Sequence, residues 1–154
     1  MGQVESRLAE LGFTLPEVVK PVASYVPAVI TGSLVFTAGQ LPMVAGALPA
    51  TGHVGAEVTA EDAQRYAAIC ALNGLAAVKS VIGDLDRIVQ VVKVVGFVSS
   101  APDFTGQPAV VNGASDLLRD VLGDHGVHAR SSVGVAALPL NAPVEVELVV
   151  EFSA

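Results

Sequence analysis

Residues 128–152, HARSSVGVAALPLNAPVEVELVVEF, contain two strands and the turn between them. In the second half Val144, Val146, Leu148, Val150 and Phe152 alternate with Glu145, Glu147, Val149 and Glu151. That period of two predicts a strand over 144–152, with one apolar face and one face carrying acids. The first half predicts a strand over 130–136, and LPLNAP at 138–143 predicts the turn. One residue does not fit the apolar and small surroundings. Arg130 is the only Lys or Arg after Arg119. A lone guanidinium entering such a strand must reach solvent, pair with an acid or bind an anion. Its planar fork of donors suits a carboxylate held bidentately. Glu145 lies a short turn and a strand away, so an ion pair and an anion site are both open readings.

Working outward, residues 88–98, IVQVVKVVGFV, are β-branched and predict a strand. A helix is expected over 110–122, with Val111, Ser115, Leu118 and Leu122 near one face and Gly123 and Gly126 ending it. The clearest helix runs over 59–82. Thr59 is its N-cap, Glu61 and Asp62 lie in its first turn, and Gly83 stops it. Ala63, Ala67, Cys70, Gly74 and Val78 recur on one face, and their small size lets the helix sit close on a sheet. Asn73 on that helix is unfavourable unless its amide holds a partner. Upstream, residues 22–30 predict a strand in which Pro27 marks an edge or bulge. The turn at 31–33 joins it to a strand over 34–38 as a hairpin. Residues 42–58 read as a surface loop and 99–108 as another. Residues 3–11 form a short amphipathic helix, followed by a linker containing Pro16 and Pro21. The order predicts an α+β domain, a mixed sheet with two main helices on one face, and a single domain over 1–154.

Bulk composition narrows the function. Hydrophobic residues make up 52 % of the 154 and charged residues 15 %. A domain of this size lacks the interior to hide so much apolar surface, which points to burial against other chains. The net charge is −7, and the eight cations are scattered. A phosphate-tracking surface is therefore not expected, and neither is nucleic-acid binding. The N-terminus carries acids and no long apolar run, and no membrane span is expected, so the chain reads as cytoplasmic. Cys70 is the single cysteine and reads as an inert core thiol.

Phosphate loops, dinucleotide fingerprints, nucleophile elbows and paired-cysteine metal patterns are all missing. His125 and His128 have a three-residue spacing in a glycine-flanked loop without a rigid helix to aim both rings, so they read as solvent-facing rather than as metal ligands. Tyr25 reads as core or as function, and Asn112 at a helix start reads as a cap or as a site residue.

Three segments together resemble the RidA/YjgF family of reactive-intermediate deaminases, to which an endoribonuclease L-PSP label is also attached. They are VFTAGQLP at 35–42, VKVVGFV at 92–98 and ARSSVGVAALP at 129–139, followed by the strand bearing Glu145. The match covers roughly residues 20–152, with residues 1–19 as an N-terminal helix and linker extension of a divergent subgroup. The resemblance implies a chorismate-mutase-like fold, homotrimers built as a barrel with clefts between subunits, and no metal or cofactor. It implies hydrolysis of 2-imino acids to 2-keto acids and ammonia. In that reading Arg130 binds the carboxylate, Glu145 orients the water, and Tyr25 lines the wall. Gly39, Asn112 and the backbone of Ser132 position the substrate. The chain departs from the family pattern at Ala38, Gly134 and Ala137, and in Ala23-Ser24 ahead of Tyr25. These changes shrink and depolarise the cleft rim. A non-catalytic binder of small carboxylates, an endoribonuclease and chorismate-mutase-like chemistry are the competing readings.

Overall fold

The computed structural model describes residues 1–21 and 23–154. In the described residues three α-helices, α1 (Gln3–Glu10), α2 (Ala60–Ile82) and α3 (Gln107–Leu122), accompany five strands. The strands are β1 (Ala28–Thr31), β2 (Leu34–Thr37), β3 (Ile88–Ser99), β4 (Ala129–Val135) and β5 (Val144–Phe152). They form one mixed sheet in the order β1-β2-β5-β3-β4. All neighbours are antiparallel except β3 and β4, which are parallel and joined through α3 as a βαβ crossover. The expected α+β class holds.

The period-two reading of β5 is seen directly. Val144, Val146, Leu148 and Val150 are buried, and Glu145, Glu147, Val149 and Glu151 stand on the other face. Val91, Val94 and Val98 of β3 continue the buried face. α2 and α3 cover it, and small residues let them approach closely. A Cβ on Gly96 of β3 would lie 2.4 Å from Val111 Cγ2 of α3, and one on Gly113 of α3 only 1.8 Å from the Gln64 carbonyl of α2. α2 begins where expected, with Thr59 Oγ1 accepting from the Asp62 N–H at 3.1 Å, and ends at Gly83 with φ +85°. Its length and hydropathy would also suit a membrane span. Here its apolar residues form the centre of the core. Asn73 within it finds partners for its amide nitrogen, Nδ2 donating to the Leu41 and Met43 carbonyls at 3.0 and 3.1 Å, while its Oδ1 is buried without a hydrogen-bond partner among the described residues. Cys70 is buried, and burial pushes its thiol up, consistent with an inert residue.

α2 and α3 leave the opposite face of the sheet open. Val29, Phe36 and Val133 on it are 54, 45 and 44 % exposed, beside Phe97 and the acids of β5. These exposed side chains are part of the apolar excess in the composition.

Five expectations need correction. The strand expected over 22–30 begins only at Ala28; Pro21 and Pro27 carry no N–H for a ladder, so residues 23–25 bend instead. Val22 lies outside the described residues. Tyr25 therefore sits in a bend before the sheet rather than in a strand. α3 starts three residues earlier than expected, because Pro108 fits a first helical turn, where its missing N–H is not needed. Asn112 then lies in the second turn and is not a cap. The loop over 42–58 is not wholly superficial. Val54 and Val58 are buried, and the Val54 N–H donates to the Ser99 carbonyl at 2.7 Å.

Candidate functional site

Arg130 pairs with Val94 across the β3–β4 ladder and so shares the helix-facing side of the sheet. β4 is the edge strand there, which leaves the half-buried guanidinium between the strand and the start of α3. Its Nη1 donates to Asn112 Oδ1 at 2.7 Å and to Ser115 Oγ at 3.2 Å, and Nη2 donates to the Pro108 carbonyl at 3.3 Å. Pro108, Asn112 and Ser115 are spaced four and three apart, one face of a helix, so α3 presents all three acceptors together. None of them is charged. Among the described residues Arg130 has no carboxylate partner, and the Nε–H and one Nη2–H remain for a ligand.

The same face of β4 carries Ser132 and Gly134. The Ser132 hydroxyl is buried without a hydrogen-bond partner among the described residues. Beyond it a Cβ on Gly134 would lie 2.7 Å from Gln107 Nε2 and 3.0 Å from Ser100 Oγ. Glycine there lets Gln107 and Ser100 pack against the strand, beside a cavity of about 620 Å³ lined by Gly134, Phe104, Gln107 and His53.

Glu145 belongs to the other side of the sheet. It pairs with Phe97, one step out of phase with the buried Val94 and Val98. Gly39 lies against it, since a Cβ there would be 2.2 Å from Glu145 Oε1. Only glycine lets the backbone run so close to that carboxyl. The Gln40–Val146 bridge, with N–H to carbonyl distances of 2.8 and 3.0 Å, holds the two segments together. Tyr25, 47 % exposed, lines a small cleft with Gly39, Lys20 and Met43. The six expected residues thus fall into two groups. Gly39 lies against Glu145 on one side of the sheet and shares a small cleft with Tyr25, while Arg130, Asn112 and Ser132 lie on the helix side. The Arg130–Glu145 pair that chain proximity left open does not form, because β3 is inserted between β4 and β5 and the two side chains take opposite faces of the sheet.

Burial, and then the neighbouring Glu147 charge, raise the Glu145 carboxyl above its ordinary value. Between the ordinary carboxylate range and the raised value the folded state holds a proton that the unfolded chain has released, so stability falls as pH rises through that window. Glu145→Gln cannot ionise. We expect it to melt higher than wild type at neutral pH, with the difference closing below about pH 4. Thermal scans at both pH values check this, and equal melting temperatures at neutral pH would contradict it.

Ser115 and His128 are residues that the sequence did not single out as site residues. His128 is half-buried rather than solvent-facing, with Nε2 2.8 Å from Ser115 Oγ and Nδ1 2.6 Å from the Gly126 carbonyl. The four- and three-residue spacing of Pro108, Asn112 and Ser115 was the available signal for Ser115.

The family model described as "YjgF/chorismate_mutase-like, putative endoribonuclease" matches residues 5–152. The chain belongs to the RidA/YjgF family. Protein TCP17 of Trypanosoma cruzi is 44 % identical over 99 % of this chain and 96 % of its own length. A protein of Salmonella typhimurium named 2-iminobutanoate/2-iminopropanoate deaminase is 32 % identical over 83 % of this chain and 87 % of its own. A crystal structure of a protein of unknown function from Agrobacterium tumefaciens superposes with a TM-score of 0.92 at 50 % identity, covering 97 % of this chain and 92 % of that one. The chorismate-mutase-like fold of this RidA/YjgF chain is thereby established, and imine deaminases are among its relatives.

Proposed function

We propose that this RidA/YjgF chain hydrolyses 2-imino acids to 2-keto acids and ammonia in clefts shared between copies of itself, arranged as a homotrimer. The observation that carries the reading is the state of Arg130. Neutral acceptors hold three of its donors, its charge is unpaired among the described residues, and two N–H groups are left over. That is a socket for a carboxylate supplied from outside the chain. The clefts are shared because Glu145, with Gly39 against it, faces away from Arg130 across the sheet. One copy cannot bring a clamp and a base to the same small molecule. The exposed apolar face beside Glu145 supplies the surface on which copies would meet.

The chemistry is balanced with water alone. A protonated imine is already an electrophile, so its carbon accepts a water oxygen while the C=N π pair moves to nitrogen. Glu145 takes the proton that the water loses, and its raised affinity for protons suits it to do so. It then delivers that proton to the amino nitrogen. The carbinolamine collapses to C=O, expelling ammonia, which leaves as ammonium with the hydroxyl proton. Arg130 holds the carboxylate throughout and so fixes the carbon in line with the water. Asn112 and Ser115 hold the guanidinium, and the Ser132 backbone stands beside it on the same strand.

The test is ammonia release from 2-iminopropanoate generated in situ by an amino-acid oxidase, with the ketone product measured in parallel. Release above the uncatalysed rate supports the deaminase. A folded oligomeric protein with no release would overturn it. Carboxylate binding retained in that protein would leave the binder reading in its place.

A further inference from the structure

We propose that Ser115 and His128 form a hydrogen-bond relay that sets the orientation in which Arg130 receives a carboxylate, with His128 as a positioning residue for that clamp. The proposal rests on Arg130 being the carboxylate clamp and adds to it the residues that aim it.

The argument starts from the one ambiguous member of the chain of contacts. A serine hydroxyl both donates and accepts, so Ser115 could turn its hydrogen toward Arg130, where it would oppose an N–H, or away from it. Among the described residues its hydroxyl meets only Arg130 and the His128 ring. The ring decides the matter. Nδ1 faces the Gly126 carbonyl at 2.6 Å, and a carbonyl only accepts, so Nδ1 carries the hydrogen. Neutral His128 then offers a lone pair at Nε2, 2.8 Å from Ser115 Oγ. The hydroxyl donates to that lone pair and turns its own lone pair to Arg130 Nη1. Gly126 O, His128, Ser115 and Arg130 thus run in one direction, and reversing any member breaks the rest.

The relay is held rigidly at its far end. A Cβ on Gly126 would lie 2.3 Å from the Leu118 carbonyl, so the turn that supplies the Gly126 acceptor is packed against α3, the helix that also carries Ser115. The ring is kept neutral as well. Burial first, and then the charges of Arg130 on β4 and Arg119 on α3, hold His128 below its ordinary value, against the Gly126 bond that raises it. Lys93, which pairs with Ala129 from β3, stands on the opposite face of the sheet.

Protonation would place a hydrogen on Nε2. Ser115 Oγ would then face two donors, with no acceptor for its own hydrogen. Charge alone predicts the reverse consequence, since an imidazolium beside Arg130 attracts an anion. The sign of the pH effect on carboxylate affinity therefore separates aiming from simple attraction.

The experiment measures the dissociation constant of 2-oxobutanoate by calorimetry from about pH 5 to 8, the range over which histidines titrate. It uses Glu145→Gln as the parent in place of wild type, so that the carboxyl facing the shared cleft does not titrate over this range, and compares that parent with the same chain carrying Arg130→Ala, Ser115→Ala, His128→Phe or His128→Gln. Long-range proton–nitrogen spectra give the tautomer of His128. We expect the Nδ1–H tautomer, weaker binding on acidification, and about five- to tenfold weaker binding in Ser115→Ala and His128→Phe, the effect of one hydrogen bond. His128→Gln offers a carbonyl acceptor that does not titrate, so it should bind nearer to the parent with the pH dependence gone. The Nε2–H tautomer, tighter binding on acidification, or His128 and Ser115 variants that bind as the parent would overturn the relay while leaving an Arg130-dependent clamp intact. A parent that does not bind 2-oxobutanoate would overturn the clamp, and the relay with it. Should His128→Phe not fold, Ser115→Ala and His128→Gln decide between the same outcomes.

Discussion

Arg130→Ala should lower kcat/KM for 2-iminopropanoate by about 10²- to 10⁴-fold, because two charge-assisted hydrogen bonds of about 1.5–3 kcal/mol each go with the side chain. A substrate of so few atoms has no other charged handle, and nothing else on the helix side of β4 replaces it. Arg119 belongs to the last turn of α3. Arg130→Lys should recover little of the loss. The three acceptors on α3 hold a planar group at two nitrogens, whereas an ammonium has one. The lysine would be drawn to Asn112 Oδ1 and Ser115 Oγ and present no parallel pair of donors outward. Steady-state kinetics on both variants, beside circular dichroism to confirm the fold, check this. An Arg130→Ala enzyme within a few-fold of wild type would remove the guanidinium from the reaction.

How much of this was readable from the chain depends on the distance over which each signal acts. β5 was legible because burial on one face imposes a period of two that no turn interrupts. α2 was legible because Thr59 and Gly83 mark its two ends chemically. Signals from proline were more ambiguous. Pro108 was read as closing a loop, yet it fits the first turn of α3, and that shift moved Asn112 from a cap to a partner of Arg130. Pro21 and Pro27 kept Tyr25 out of the sheet. The relation of Arg130 to Glu145 was out of reach for a different reason. β4 and β5 follow one another in sequence and invite a hairpin, but β4 pairs in parallel with β3, which separates them. Which face each side chain occupies is then set by strand order, a long-range property that no window of sequence contains. Family resemblance named both residues without saying that one copy holds them on opposite faces.

That separation makes the strongest test of a shared cleft a mixing experiment. Arg130→Ala and Glu145→Gln should each be nearly inactive alone, the second because a general base contributes about 10²- to 10⁴-fold. If every cleft takes Arg130 from one copy and Glu145 from its neighbour, co-assembly of the two inactive proteins restores some clefts with both groups present. Random assembly at equal amounts gives about one intact cleft in four for any cyclic arrangement of identical copies. Activity should therefore rise from near zero to about a quarter of wild type once the two variants are unfolded and reassembled together. The double variant, co-assembled with either single variant, should stay inactive in one pairing as in the other, because no cleft then holds both groups. If instead one copy served both roles by a movement of β4 and β5, mixing would restore nothing at any ratio. The sheet makes that alternative physically demanding. Turning Arg130 to the other face requires a one-residue shift of β4 against β3, which would put every side chain from Ala129 to Val135 on the wrong side of the sheet.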